Sequence, residues 1–442
     1  MVINFFRKLR NKLTGLNVTT ARFDILHNKL DAIATIPITG VESDEAVLAR
    51  AESILLRAIA LGKKGRFKIV PEFISVSATE NCNLKCIMCP GHTGMSGPKL
   101  SVDEAEMLFG SLFDKDSNYG SPKFLDMTAG EPTLNPNLGT IYGRFKELFP
   151  DAKISTISNA TLPIRGQVRV AFEHADRICL SMDGATAETF ERIRKGAVYK
   201  NVVRNVREIA SMKKEGVNCE RLELAFVVMD QNIHELPEMV RLAHSLGIPG
   251  LFTQVSEVRE ESPFNGEVQN ISLSLPKAEF APFVSEAKAE AERLGIRLTL
   301  TSQLQEALEP SQPIHPKPAA EQNAEPPTRL EVAIKTCSVP WTFAPRISQN
   351  KDGIYPTTVC CHMPNRDLSG NLQKHKEFRG KSINEIFNSE FYWNIRSNLL
   401  DGTLAKDACE GCQYHQMTQW TGPQLRELES ATMVVERAFK EK

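Results

Sequence analysis

No stretch of this 442-residue chain approaches the roughly 18 consecutive apolar residues that a membrane-spanning helix requires. No secretory signal opens it either. MVINFFRKLRNKLTG interleaves basic and apolar residues, without an uninterrupted apolar core or a cleavage site. A cytoplasmic protein is expected. Charge of one sign is also missing: 53 Lys and Arg face 54 Asp and Glu, a formal net charge of -1. That balance argues against a coat for nucleic acid or anionic membrane held by bulk charge. Cysteine, at 10 residues, is too dilute for a disulfide scaffold in a chain this long. No internal repeat stands out. A largely disordered chain is excluded as well, because 41% hydrophobic and 24% charged residues are globular proportions.

The length that remains to be explained suits two or three domains, or one large α/β barrel with an appendage. Residues 1–70 read as a helical N-terminal extension. Its first helix gathers Phe5, Phe6, Leu9 and Leu13 on one side, with Arg7, Lys8, Arg10 and Lys12 around them. Such a helix suits docking on its own protein or a second subunit; a membrane-surface anchor is the alternative. From residue 71 short apolar runs alternate with amphipathic segments, the texture of repeated β-α units. Strands are predicted over 73–77, 124–127, 153–157, 177–182, 222–229 and 251–255. Helices are predicted over 102–113, 138–148, 167–174, 187–193, 202–214 and 236–246. Six units imply an α/β fold, a partial (β/α)6 TIM-like barrel spanning 71–305, whose chemistry sits in the loops after the strand C-termini. A helix over 277–294 and a strand-like stretch over 296–301 follow.

Residues 306–329 are a linker or insertion, with six prolines between Glu309 and Pro327 and almost nothing apolar. Residues 330–442 hold five of the ten cysteines, with Trp341 and Trp393. They read as a small separate domain stapled by metal, because few long apolar elements remain.

Cysteine placement is uneven, and in a reducing compartment clustered cysteines suggest metal. Cys82, Cys86 and Cys89 form C-x3-C-x2-C just after the first predicted strand. Three thiolates on one loop can hold three irons of a four-iron cluster and leave the fourth open. A zinc loop is the alternative, but His92 is the only local candidate for a fourth ligand. The second group is Cys337, Cys360-Cys361 and Cys409-x2-Cys412, enough for a fully ligated four-iron cluster or a structural zinc. Cys179 and Cys219 read as buried apolar filler.

The first loop resembles that of the radical S-adenosylmethionine (SAM) superfamily, C-x3-C-x-Φ-C, with Met88 in the Φ position. Other segments match in order. MTAGEP stands where the family has Gly-Gly-Glu-Pro: Gly130, Glu131 and Pro132 agree and Ala129 departs. ISNAT is similar to Thr-Asn-Gly, with Ser158 and Asn159 in place and Ala160 for the glycine. SMDGATAETFERIRKG resembles the Ser-x-Asp-Gly segment followed by Arg. The resemblance assigns Glu131 to the SAM amino group, Ser158 and Asn159 to the ribose, Ser181 and Arg194 to the carboxylate. Met88 and Val255 would lie along the adenine, although Val255 reads equally as plain core. The C-terminal segment resembles the auxiliary-cluster domain called SPASM in its longer form and twitch in its shorter one. Its ligands would be Cys337, Cys360, Cys409 and Cys412. The stretch from Gly353 to Cys360 is longer than that pattern leads one to expect, which keeps Cys361 as the alternative to Cys360.

The resemblance implies a SAM-binding [4Fe-4S] cluster, a second auxiliary [4Fe-4S] cluster and SAM itself. It implies reductive cleavage of SAM to a 5′-deoxyadenosyl radical that abstracts hydrogen from a substrate. A net oxidation of a small polar molecule, such as a sugar or aminocyclitol, is expected. The alternatives are a peptide or protein maturase, SAM-dependent group transfer, or a non-enzymatic iron-sulfur carrier. A reducing donor such as flavodoxin or ferredoxin is the implied partner; neither nucleic acid nor membrane contact is expected. Gln254 and Glu223 are pocket candidates without an assigned role.

Overall fold

The computed structural model describes residues 70–89, 97–112, 121–127, 130–214, 219–255, 273–308, 346–350, 353–358, 378, 381–392 and 394–395. Residues 1–69, with the expected helical extension, lie outside the described residues. So do Glu309–Pro327 and Cys337, Cys360, Cys361, Cys409 and Cys412.

Strands β1 (Phe73–Ser75), β3 (Phe124–Asp126), β4 (Lys153–Ser158), β5 (Arg177–Ser181), β7 (Arg221–Val228), β8 (Gly250–Val255) and β9 (Arg297–Thr299) follow the predicted alternation, while the two-residue strands β2 (Lys85–Cys86) and β6 (Arg194–Lys195) are additions to it. Helices α1 (Val102–Gly110), α2 (Leu138–Leu148), α3 (Gln167–His174), α4 (Ala187–Ile193), α5 (Tyr199–Lys214), α6 (Leu236–Leu246) and α7 (Lys277–Leu294) lie between them. One sheet runs β1-β3-β4-β5-β7-β8-β9, every neighbour parallel, which is an open, partial barrel. The sequence suggests six strands; the sheet has seven. Arg297 N donates to Pro249 O at 2.9 Å, and the short strand that follows pairs Gly250↔Arg297.

Strand ends shift by one or two residues, and two helix boundaries also move. Helix α1 stops at Gly110 rather than 113, where Ser111 Oγ turns back onto Leu108 O. Helix α5 begins at Tyr199, three residues early, where Glu191 accepts from the Tyr199 N–H at 2.8 Å and Val198 O accepts from the N–H groups of Asn201 and Val202.

The strands bury alternate residues beneath the helices. Ile74, Leu125, Ile154, Ile178, Leu180, Leu222, Leu224 and Phe226 join Phe109, Phe145 and Phe190 in one core. Each such side chain stabilises the fold by about 1.5–3 kcal/mol. The intervening residues turn to the concave face, the lumen, where Ile157 stays 39% exposed although it sits in mid-sheet.

Two later elements continue the chain. Strands β10 (Arg346–Asn350) and β11 (Gly353–Thr358) form an antiparallel hairpin, and β10 approaches β1 at the open edge of the sheet. Helix α8 (Ser302–Glu306) precedes them and α9 (Ile383–Phe387) follows, the latter opened by a Ser382/Glu385 capping box. Ile383 belongs to the barrel core, while Phe387 and Tyr392 are fully buried beside Phe391. This C-terminal region therefore has an aromatic core that its composition did not suggest.

Candidate functional site

The loop carrying Cys82, Cys86 and Cys89 leaves the C-terminal end of β1, where a barrel presents its chemistry. Asn81 clasps it. Its side chain donates to Gly97 O and accepts from Gly97 N, both at 2.8 Å, and donates to Thr79 Oγ1. The sequence reading passed over Asn81, whose only sequence signal is that it directly precedes Cys82.

The loop after β3 is seated on the same backbone. Gly130 has φ +61, and a Cβ there would come within 2.5 Å of Asn81 O. Only glycine combines that conformation with that approach. Glu131 N then donates to Asn81 O at 2.7 Å. Pro132 is buried in the first turn that follows.

The Glu131 side chain is 1% exposed. Its Oε1 accepts from Thr133 N at 3.2 Å, Thr133 Oγ1 at 2.5 Å and Ser158 Oγ at 2.8 Å; Oε2 accepts from Asn159 N at 2.7 Å. Burial pushes the carboxyl above its ordinary range, against the hydrogen bonds from Asn159, Thr133 and Ser158. Its hydrogen-bond donors are all neutral. A buried carboxylate in that state gains from a cation, and Oε2 keeps acceptor capacity for one. The site thus fits an ammonium group.

Ser158 and Asn159 also knit loops together. Asn159 Nδ2 donates to Asn83 Oδ1 at 3.0 Å and lies 3.8 Å from Cys82 Sγ, while Thr161 donates to Asn159 Oδ1. Ala160, in the family glycine's place, adopts φ 53. It is held there by bonds from its N–H to Ser158 Oγ and from Asn205 to its carbonyl.

Arg194 reaches the cysteine loop by a two-residue ladder. Strands β2 and β6 pair antiparallel with Cys86 opposite Arg194, and Ile87 N donates to Ile193 O. Arg194 Nη1 lies 3.7 Å from Cys86 Sγ, and Nε lies 2.7 Å from Asp183 Oδ2. The ion pair is close without being aligned as a hydrogen bond. Asp183 is wholly buried, and its Oδ1 accepts from Val227 N at 2.7 Å. Burial raises its carboxyl, with the Arg194 charge opposing. Burial also works against the Arg194 charge, yet Asp183 and Cys86 hold its pKa above the usual value. Asp183 is the aspartate of the Ser-x-Asp-Gly motif, a residue to which the family resemblance assigns no role beside Ser181 and Arg194.

Burial pushes the Cys86 thiol up to about 11, opposed by Arg194, and raises Cys82 as well. Among the described residues, no three His, Cys, Asp or Glu side chains are disposed to hold a metal ion. A four-iron cube asks for wider spacing, one thiolate per corner. Three cysteines on a loop flanked by a guanidinium fit that larger group.

Ser181 is buried at the end of β5, and Met88 and Val255 are half-buried against the core. Cys179 is half-buried. It faces the lumen between Ile157 and Glu223, and burial pushes its thiol up to about 12, with Glu223 adding to the shift. Cys219 is half-buried at the entry to β7. Gln254 is exposed on β8.

Residues 76–243 match the Radical SAM superfamily. The chain is 26% identical over 218 residues to a GTP 3′,8-cyclase of Brucella canis, covering 47% of this chain and 59% of that protein. It is 22% identical over 196 residues to a GTP 3′,8-cyclase of Desulforamulus reducens, covering 43% and 58%. The chain therefore spans under two thirds of these relatives. In fold it is similar to the crystal structure of Streptococcus suis SuiB, with a TM-score of 0.54 at 15% identity, over 89% of this chain and 82% of that one. No helix among the described residues is long and apolar enough to cross a membrane.

Proposed function

This chain belongs to the radical SAM superfamily, and from that premise we propose that it removes a hydrogen atom from a small polar substrate held in the barrel lumen, as a net oxidation. Cys82, Cys86 and Cys89 would hold the cluster. Bound there, cluster and SAM supply one-electron reduction and a carbon-centred radical able to take hydrogen. The chain's own residues orient and exclude water.

One observation carries the SAM assignment. A buried carboxylate with no cation beside it among the described residues, Glu131, and a buried guanidinium, Arg194, flank the same cysteine loop. An amino-acid head group presents an ammonium to the first and a carboxylate to the second. Ser158 and Asn159 reach the site through the loop network they share with Glu131 and Asn83. A plain electron carrier has no use for such a pair.

The lumen supports a polar substrate, since Arg177, Arg221, Glu223 and Arg297 line its lower rows. In the C-terminal region we assign a second cluster to Cys337, Cys360, Cys409 and Cys412, with Cys361 as the alternative to Cys360. A flavodoxin- or ferredoxin-type donor would feed the first cluster.

Anaerobically reconstituted protein should hold about eight irons per chain, and Cys337→Ala about half that. One zinc with about four irons would overturn the second cluster. Reduced protein with SAM should release 5′-deoxyadenosine, and Cys86→Ala should abolish the release. An undiminished yield in that variant would remove the reading.

A further inference from the structure

The register of the sheet sets two arginines side by side. Arg177 at the start of β5 pairs directly with Arg221 at the start of β7, both on the lumen face. Neighbouring strands lie about 4.8 Å apart, and like charges directly opposite one another destabilise a sheet. Against that cost the described residues set one carboxylate, Glu223 at Arg221, and one aromatic ring, Phe124 at Arg177.

A third arginine joins them. Arg297 on β9 extends across Gly250, where a Cβ would come within 2.7 Å of its Nη2. Glycine at the start of β8 thus opens the way for this guanidinium. Arg297 ends 3.6 Å from Glu223 Oε2, which also takes Arg221 Nε at 2.7 Å. One carboxylate therefore serves two arginines.

Arg177 lies over the Phe124 ring, 4.8 Å from its centroid, with Phe73 stacked beneath. It has no acidic partner among the described residues. The other acid in its row, Asp126, is two strands away, and Lys153 is engaged with Glu220 and Asp176. Above this floor Ile157 is exposed, so the lumen is open space that a bound molecule can cover.

We propose that Arg177 and Arg221, backed by Arg297, form the oxyanion-holding floor of the lumen and take a carboxylate or phosphate group of the substrate. The planar guanidinium fork matches either oxyanion in two-point contact. An oxyanion between the two arginines would also relieve their repulsion. The proposal rests on the reading of the lumen as the substrate site, and it adds a charge to the substrate class.

The test is calorimetric titration of pyrophosphate, and separately of succinate, into cluster-loaded full-length protein without SAM or reductant. At least one should bind. Pyrophosphate alone points to a phosphorylated substrate, and succinate alone to a carboxylate. Arg177→Gln and Arg221→Gln should each weaken that binding by about tenfold or more, as loss of charge-assisted hydrogen bonds does. Glu223→Gln should tighten it, because the competing carboxylate is gone; a purely structural network gives no such gain. Failure of both anions to bind, or unchanged affinity in both arginine variants, overturns the floor. The two readings fail separately. Wild-type protein that binds the anion but never yields 5′-deoxyadenosine strikes the radical chemistry and leaves the floor standing. The reverse result strikes the floor alone.

Discussion

Cys86 and Arg194 face each other across a two-residue antiparallel ladder, with the guanidinium Nη1 3.7 Å from the cysteine sulfur. Asp183 holds that guanidinium from the other side at 2.7 Å, and all three groups are buried. The arrangement aims a fixed positive charge at the Cys86 sulfur, and the aspartate keeps it aimed.

Removing one member of that buried pair strands the other's charge. Asp183→Asn should therefore cost about 3–5 kcal/mol, the usual penalty for breaking a buried pair. Chemical denaturation of the cluster-free protein measures it. A loss under about 1 kcal/mol would mean that Arg194 finds other partners when Asp183 is gone.

Ala160 offers the opposite sign. A left-handed conformation costs a non-glycine residue about 1–2 kcal/mol, and glycine's extra chain entropy returns about 0.5–1 of that. Ala160→Gly should thus stabilise by up to about 1.5 kcal/mol and raise Tm. A fall in Tm would show that the Ala160 methyl packs better than its backbone suggests.

Much of the barrel was legible because its signals are local. Helices α2, α3, α4, α6 and α7 have the boundaries that apolar periodicity predicts, and the family-like motifs lie at strand ends. The seventh strand was visible as an apolar stretch, but its membership depends on pairing with β8, which sequence spacing does not encode. The site's residue types were also legible; their partners were not. Glu131 is engaged by Thr133, Ser158 and Asn159, and Arg194 by Asp183, contacts separated by up to 28 residues. The clasp by Asn81 closes on Gly97, 16 residues on, and the arginine row at the lumen floor exists only once distant strands fix their register.

Gly130 tests the docking of two loops. Alanine there would combine φ +61 with a Cβ 2.5 Å from Asn81 O, against backbone that cannot swing aside as a side chain would. Gly130→Ala should destabilise by more than the roughly 1–2 kcal/mol of the backbone term alone. It should also impair SAM binding, because Glu131 is the next residue. Equilibrium denaturation and SAM titration read the two effects; normal values for both would mean that the loops dock independently.

The last prediction concerns pH. Burial holds the Glu131 carboxyl above its ordinary value of 4.5, with the hydrogen bonds from Asn159, Thr133 and Ser158 opposing. The folded protein therefore binds this proton more tightly than the unfolded chain does. Its contribution to stability is fully present below the unfolded pKa and is lost as pH rises through the folded one. Asp183 shifts in the same direction, also through burial. Bound SAM would change the sign at Glu131 alone, because its ammonium favours the ionised carboxylate. The SAM-induced rise in Tm of oxidised, cluster-loaded protein should consequently grow as pH climbs from the carboxylate range toward neutrality, until the proton is fully released. Glu131→Gln carries no titrating group and should flatten that dependence while leaving the Asp183 contribution in place. A SAM-induced shift that is independent of pH in the wild type, or equally steep in Glu131→Gln, would move the ammonium to another partner.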